Sequence, residues 1–211
     1  MNTRKPPSLP ASSTRDRVLA AAERLLAQDK AEFSMRDLAA EAGVSFATPF
    51  NQFGGKLAIM RALSAARIEE MHLRAAAIDP SARAMDRVLE VVGIAAVVMG
   101  ENPAVNRAVM GAIGAPGAPP GDTRERSRAL WAAALADGEG LAPEHRSLAC
   151  AVLPDRLAAA FRGVLSFWTA GEIPTKELDP EARAAASALL FGFSSPAQQT
   201  QLAELMRAAS R

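Results

Sequence analysis

Side chains able to carry covalent or metal chemistry are few in this chain and stand apart. His72 and His145 are its two histidines, distant in sequence and without ligand-like neighbours, and Cys150 is the single cysteine. Nucleophilic catalysis needs a nucleophile beside a base, and phosphoryl chemistry needs a phosphate cradle. The chain has no Cys/His pair at useful spacing, no Walker loop and no paired carboxylates in an apolar frame. The expectation is no catalytic residue, no metal, no cofactor and no enzyme. Hydrogen-bonding and capping groups concentrate instead in SMRDLAAEAGVSFATPFNQFGGK, Ser34 to Lys56. Such groups offer recognition through hydrogen bonds and charge.

Short helices must hold those groups. Ser34 is a side-chain acceptor placed where a helix begins. Met35, Leu38, Ala39 and Ala42 follow at the spacing of one buried helical face. Gly43 closes that helix, because glycine enters the left-handed conformation without steric cost. Val44 plugs the turn, and Ser45 is expected to cap a second short helix running to about Phe53. Gly54 and Gly55 end it, and Lys56 opens a longer helix. Two short helices around a tight turn are the layout of a helix-turn-helix DNA reader.

This stretch resembles the TetR family of bacterial transcriptional regulators. The residues that carry the resemblance are Leu38-Ala39, Ala42-Gly43-Val44-Ser45, Thr48, Phe50, Phe53 and Lys56. The run AGVS occurs in many helix-turn-helix proteins. The whole series, following an amphipathic first helix near the N-terminus, is far more specific. The resemblance implies that Phe46–Phe53 is a recognition helix for the major groove of double-stranded DNA. Thr48 and Gln52 match positions that contact phosphate, Lys56 adds charge and helix-terminus amides, and Arg36 is a further phosphate partner. Phe46, Ala47 and Phe50 match positions that face bases, with Ser45 and Asn51 counted in the same DNA-binding set. An apolar reader discriminates through the thymine methyl.

Periodicity alone gives a competing answer. Phe46, Pro49, Phe50 and Phe53 have helical spacing and read together as core. The family register turns Pro49 and Phe53 inward and leaves Phe46 and Phe50 at the groove edge. The chain also departs from the family, with Phe50 where tyrosine is usual and Pro49 where leucine is common.

The rest of the 211 residues is almost half apolar, alanine-rich and without tyrosine. Runs of Ala, Leu, Arg and Glu favour helix, and no segment alternates with the period of a strand. The fold class is therefore all-α. An N-terminal three-helix DNA-binding domain is joined to a larger helical ligand-binding and dimerisation domain. The expected organisation is a disordered arm over 1–13, the DNA-binding domain over 14–56 and the body over 57–211. Thr14 is taken as the cap of the first helix, and roughly ten helices are expected. Pro154 is expected to kink or divide a long helix between Glu144 and Ala170. Residues 1–61 hold nine Lys and Arg against six Asp and Glu, and the remainder fifteen against seventeen. That asymmetry fits a nucleic-acid module on a neutral partner domain. Cys150 reads as a small buried hydrophobe. The N-terminus lacks the apolar core of a signal peptide, and Val88–Met99, interrupted by Glu90, is too short to span a bilayer. The expectation is a cytoplasmic protein with no membrane partner.

Readers of this kind work as two-fold homodimers on palindromic operators. Leu157, Phe161, Val164, Leu165 and Trp168, with Ala185, Leu189 and Phe193, are the expected dimer interface, as two helices per subunit of a four-helix bundle. Val91, Ile94, Val98, Met99, Met110 and Trp131 are the candidate lining of an effector pocket. Their lack of charge points to a mainly apolar small molecule. The functional expectation is a repressor released from its operator by that unknown effector. The alternative is a dimeric DNA-binding or adaptor protein without a small ligand, which a solid body core would favour.

Overall fold

The computed structural model describes residues 13–28 and 32–209. The arm expected over 1–13 lies outside the described residues except for Ser13. Among the described residues there are ten α-helices and no strand: α1 Thr14–Ala27, α2 Met35–Ala42, α3 Ala47–Phe53, α4 Lys56–Ala75, α5 Ala84–Glu101, α6 Pro103–Ile113, α7 Thr123–Leu135, α8 Arg146–Ala170, α9 Leu178–Phe191 and α10 Pro196–Ala209. The chain divides into two compact units, the first ending at Ile59 and the second beginning at Met60.

In the first unit, local capping does much of the work. Ser13, not Thr14, is the N-cap of α1; its hydroxyl accepts from the Asp16 amide while Asp16 accepts from the Ser13 amide. The same reciprocal box joins Ser34 and Asp37 at the start of α2. Gly43 ends α2 at φ 62° and Gly54 ends α3 at φ 79°, both in the left-handed region. The core of the unit is small: Val18, Ala21, Ala22, Leu25 and Leu26 of α1 meet Leu38, Ala39 and Ala42 of α2. Pro49 supplies the buried side chain of α3.

The second unit is built around α5. Val88, Val91, Val92, Ala95, Val98 and Met99 are buried on several sides of this helix, which packs on α6, α7 and α9. Burying each large aliphatic chain contributes about 1.5–3 kcal/mol before conformational entropy is counted. α5 and α6 meet at 102° across Asn102. α8 packs on α6, α7 and α9, and α10 covers α9. Pro154 neither ends nor divides α8, which is one helix through it. Pro154 is buried, and packing of α8 against three neighbours outweighs the single hydrogen bond that proline removes. Cys150 is half-buried rather than buried, its sulfur 3.8 Å from the Ala136 carbonyl.

Arg87 is the principal buried charge of this unit. Its Nε and Nη2 donate to the carbonyls of Ala134 and Leu135, each at 2.9 Å, and Nη1 donates to Pro80 and Ala82. One guanidinium thus closes the C-terminus of α7 and ties the turn before α5 to it. No single helix among the described residues is long and apolar enough to cross a membrane.

Candidate functional site

The first candidate site is the outer face of α3. Phe46 occupies the N-cap position with helical dihedrals, so Ser45 is not the cap expected of it. The Ser45 hydroxyl instead meets the Thr48 hydroxyl at 2.8 Å. That pairing leaves the first amides of α3 without a side-chain acceptor and draws two hydroxyls together on its leading edge. Phe46 and Phe50 are 54% and 42% exposed, which removes them from the core, whereas Pro49 is buried and Phe53 half-buried. Their rings meet edge to face with centroids 5.6 Å apart. Ala47, Asn51 and Gln52 are exposed beside them, and Thr48 is half-buried. Arg36 reaches over the Phe46 ring at 5.7 Å. Lys56 lies with its ammonium 4.5 Å from the Phe33 ring centroid. A cation on a ring keeps its charge while its stem is held.

Three residues that the sequence reading did not single out hold this face in place. Arg17 donates from Nη2 to the carbonyls of Ala42 and Gly43, at 3.0 and 2.8 Å. Arg24 donates to the Glu41 carboxylate at 2.6 Å and to the Glu41 carbonyl at 3.2 Å. Arg15 donates to the Gln52 carbonyl at 3.3 Å and stacks 4.2 Å above the Phe53 ring. All three cations come from α1 and meet the negative ends of α2 and α3. They fix the angle of the recognition helix by electrostatics where the small core gives little packing. Arg17 and Arg24 stand seven residues apart, on one helical face, and that spacing was the available signal.

The second candidate site is a cavity of about 280 Å³ within the body. It is bounded by α4, α6, α7 and α8 and by the loop after α6. Met99, Met110 and Trp131 line it; Val91, Ile94 and Val98 do not. Those three face the packing of α5 on its neighbours, where Val91 and Val98 are fully enclosed and Ile94 is partly so. The cavity wall is also less apolar than expected. Arg61, Arg67, Arg124 and Arg162 line it, and no Asp or Glu does. Three of the four donate to oxygen: Arg61 to the Pro119 carbonyl, Arg67 to Asn106 at 3.0 Å, and Arg124 to Asp155 at 3.0 Å. Asn106 is itself buried and donates to the Val98 and Met99 carbonyls, which closes the end of α5 beside the cavity.

The expected dimer residues divide in the same way. Leu157, Phe161, Leu165 and Trp168 are buried inside a single chain, so they do not present a surface to a second one. Phe161 and Leu165 line the cavity. Trp168 donates to the Thr175 hydroxyl at 3.2 Å with the Arg107 guanidinium over its ring. Val164, Leu189 and Phe193 pack partly against the body core, and Ala185 is half-buried. Exposed beside them are Ala159 and Phe167 on α8, Ala188 on α9 and Gly192 at its C-cap, with Gly163 half-buried between the two α8 residues. Among the described residues no group of histidine, cysteine and carboxylate side chains is arranged to hold a metal ion.

Comparison with known proteins agrees with this layout. Residues 18–63 match the family model described as bacterial regulatory proteins, tetR family. No curated protein matches the chain. Among solved structures, a TetR transcriptional regulator from Rhodococcus sp. RHA1 is 22% identical with a TM-score of 0.65, covering 84% of this chain and 96% of its own. Full-length native TylP, a TetR regulator from Streptomyces fradiae, is 19% identical with a TM-score of 0.58, covering 94% and 98%. At such identities these likenesses establish the fold. The match over 18–63 falls on the reader helices, so the chain carries the N-terminal domain of tetR-family bacterial regulatory proteins.

Proposed function

We propose that this regulator is a repressor that binds a palindromic operator as a homodimer and is released by a small molecule held in the body cavity. The observation that carries the reading is the coexistence of a solvent-facing reader helix and a cavity of about 280 Å³ in the other unit. A protein acting only as a DNA-binding or adaptor dimer has no use for that void, and the cavity favours the ligand-responsive reading over it. Release requires only that the ligand bind the DNA-incompetent form more tightly.

In this reading Thr48, Gln52, Arg36 and Lys56 meet phosphates, and Phe46, Ala47 and Phe50 meet base edges. Ser45 and Asn51 border the same contact. The dimer forms through the outward stripe of α8 and α9, where Ala159, Gly163, Ala188 and Gly192 allow close approach and Phe167, 54% exposed, supplies an apolar anchor. Phe167→Asp then yields monomers in sedimentation at micromolar concentration, and a dimer unchanged by it moves the interface elsewhere.

Selection of bound DNA from a random pool tests the reading as a whole. A palindrome supports a two-fold repressor, and recovery of no preferred sequence overturns the regulator reading. On the selected site, Lys56→Ala weakens binding to all sequences and reduces the salt slope by about 0.9, the value for one phosphate contact. An unchanged slope removes Lys56 from the backbone contacts.

A further inference from the structure

The body cavity holds a charge with no carboxylate counterpart among the described residues. Arg162, on α8, lines it, and its one recorded hydrogen-bond partner among the described residues is the Met110 thioether, 3.3 Å from Nη1. A thioether is a weak acceptor, and no carboxylate among the described residues forms an ion pair with this guanidinium. Burial lowers the Arg162 pKa below its ordinary value, and an arginine nonetheless stays charged at neutral pH. Its Nη2 lies so close to Gly114 that a Cβ there would collide with it. The wall around it carries three more arginines and no acidic side chain; Arg67 and Arg124 have carboxylate partners behind the wall, Glu70 and Asp155, and Arg162 has none among the described residues.

The other side of the void is apolar. Met99, Trp131, Phe161 and Leu165 offer ring and thioether surface to an occupant. An apolar cavity of about 150 Å³ takes up benzene, so one near 280 Å³ accommodates on the order of twelve non-hydrogen atoms.

We propose that the cavity binds a small organic acid, its carboxylate paired with Arg162 and its apolar body against Trp131 and Phe161. This rests on the reading of the cavity as the effector site and replaces the mainly apolar effector expected from sequence. A planar carboxylate matches the two-donor edge of a guanidinium, and pairing it there satisfies a partly desolvated charge whose recorded partner in the protein is a thioether.

The test uses two acid and alcohol pairs of that size on the full-length protein: 4-phenylbutyrate with 4-phenyl-1-butanol, and decanoate with 1-decanol. Binding is read by isothermal titration and by the rise in melting temperature. At least one acid binds about tenfold or more tightly than its alcohol. Arg162→Gln abolishes that preference, while Arg162→Lys, which keeps charge but loses the fork, retains part of it. The proposal is overturned when neither acid outbinds its alcohol, or when Arg162→Gln keeps the preference intact. DNA binding is measured separately on the selected operator. Acid binding that leaves the operator complex unchanged supports the organic-acid site and removes the repressor-release reading. Operator release by an uncharged compound, with no acid preference, does the reverse.

Discussion

The two units solve the same packing problem with opposite means. The first, ending at Ile59, has a core made mostly of alanine and leucine, and it sets its helices with capping boxes and with arginines on helix C-termini. Its large aromatic surface, Phe46 and Phe50, faces solvent. The second unit buries both tryptophans, Trp131 and Trp168, in the core that includes α5, exposes Phe167, and leaves its notable feature inside, as a cavity. A reader that must dock on DNA keeps its chemistry outward and on short helices. The body keeps its cavity and the arginines that line it inward. The same residue type serves both: arginine closes helix ends in each unit, and in the body it also faces the cavity.

The largest effect is expected where the comparison is strictest, at Arg87. Arg87→Met keeps the length of the side chain and removes four donated hydrogen bonds, leaving the end of α7 unsatisfied in a buried place. The expected loss is about 2–4 kcal/mol of stability in denaturant titration. Hydrogen exchange should place that loss in α5 and α7, with amides of α1 and α2 protected as before. Equal loss in both units would mean that they fold as one cooperative block.

Legibility from sequence follows the same division. Ser34, Gly43 and Gly54 are local signals whose effects reach only a few residues, and each stands where the sequence places it. Ser45 fails because two neighbouring hydroxyls, its own and that of Thr48, satisfy each other before the backbone amides do. Arg15 and Arg17 act across 37 and 26 residues, a reach that periodicity does not encode. The cavity is harder still, because a void is a shortfall of volume summed over several helices. Val91 and Val98 have the same residue type as a pocket wall and are core. One signal was available: Arg162 is the charge that interrupts the apolar run after Leu157, and an arginine on an otherwise buried face asks for a partner.

Phe46 gives a medium effect that separates the two uses of aromatic surface. Phe46→Ala changes stability by no more than about 0.5 kcal/mol, because the ring is exposed and loses chiefly its edge contact with Phe50. Operator affinity falls by about 1 kcal/mol, and the loss concentrates at one thymine position in the half-site. A lowered melting temperature with uniform loss over all half-site variants would return Phe46 to the core and erase the contrast with Trp131.

The smallest effect is at Glu101, where α5 ends beside α4. Arg74 donates to both its carboxylate oxygens, at 2.7 and 2.9 Å, and that hydrogen bonding holds the Glu101 pKa below its ordinary 4.5. Arg74 is raised in turn, first by Glu101 and then by Glu70. A carboxylate whose folded pKa is depressed contributes stability that is fully present above its unfolded pKa and lost as the pH falls through the folded one. The stability difference between wild type and Glu101→Gln should therefore be constant from pH 7 down to about 4.5 and shrink below it. The pair is open to solvent and exchanges ions with salt, so the difference should also narrow in 1 M salt, where charges are screened within about 3 Å. A difference that keeps its size at pH 3 would assign the contribution of Glu101 to packing of its stem on α4, and would make the end of α5 an apolar joint like the rest of that helix.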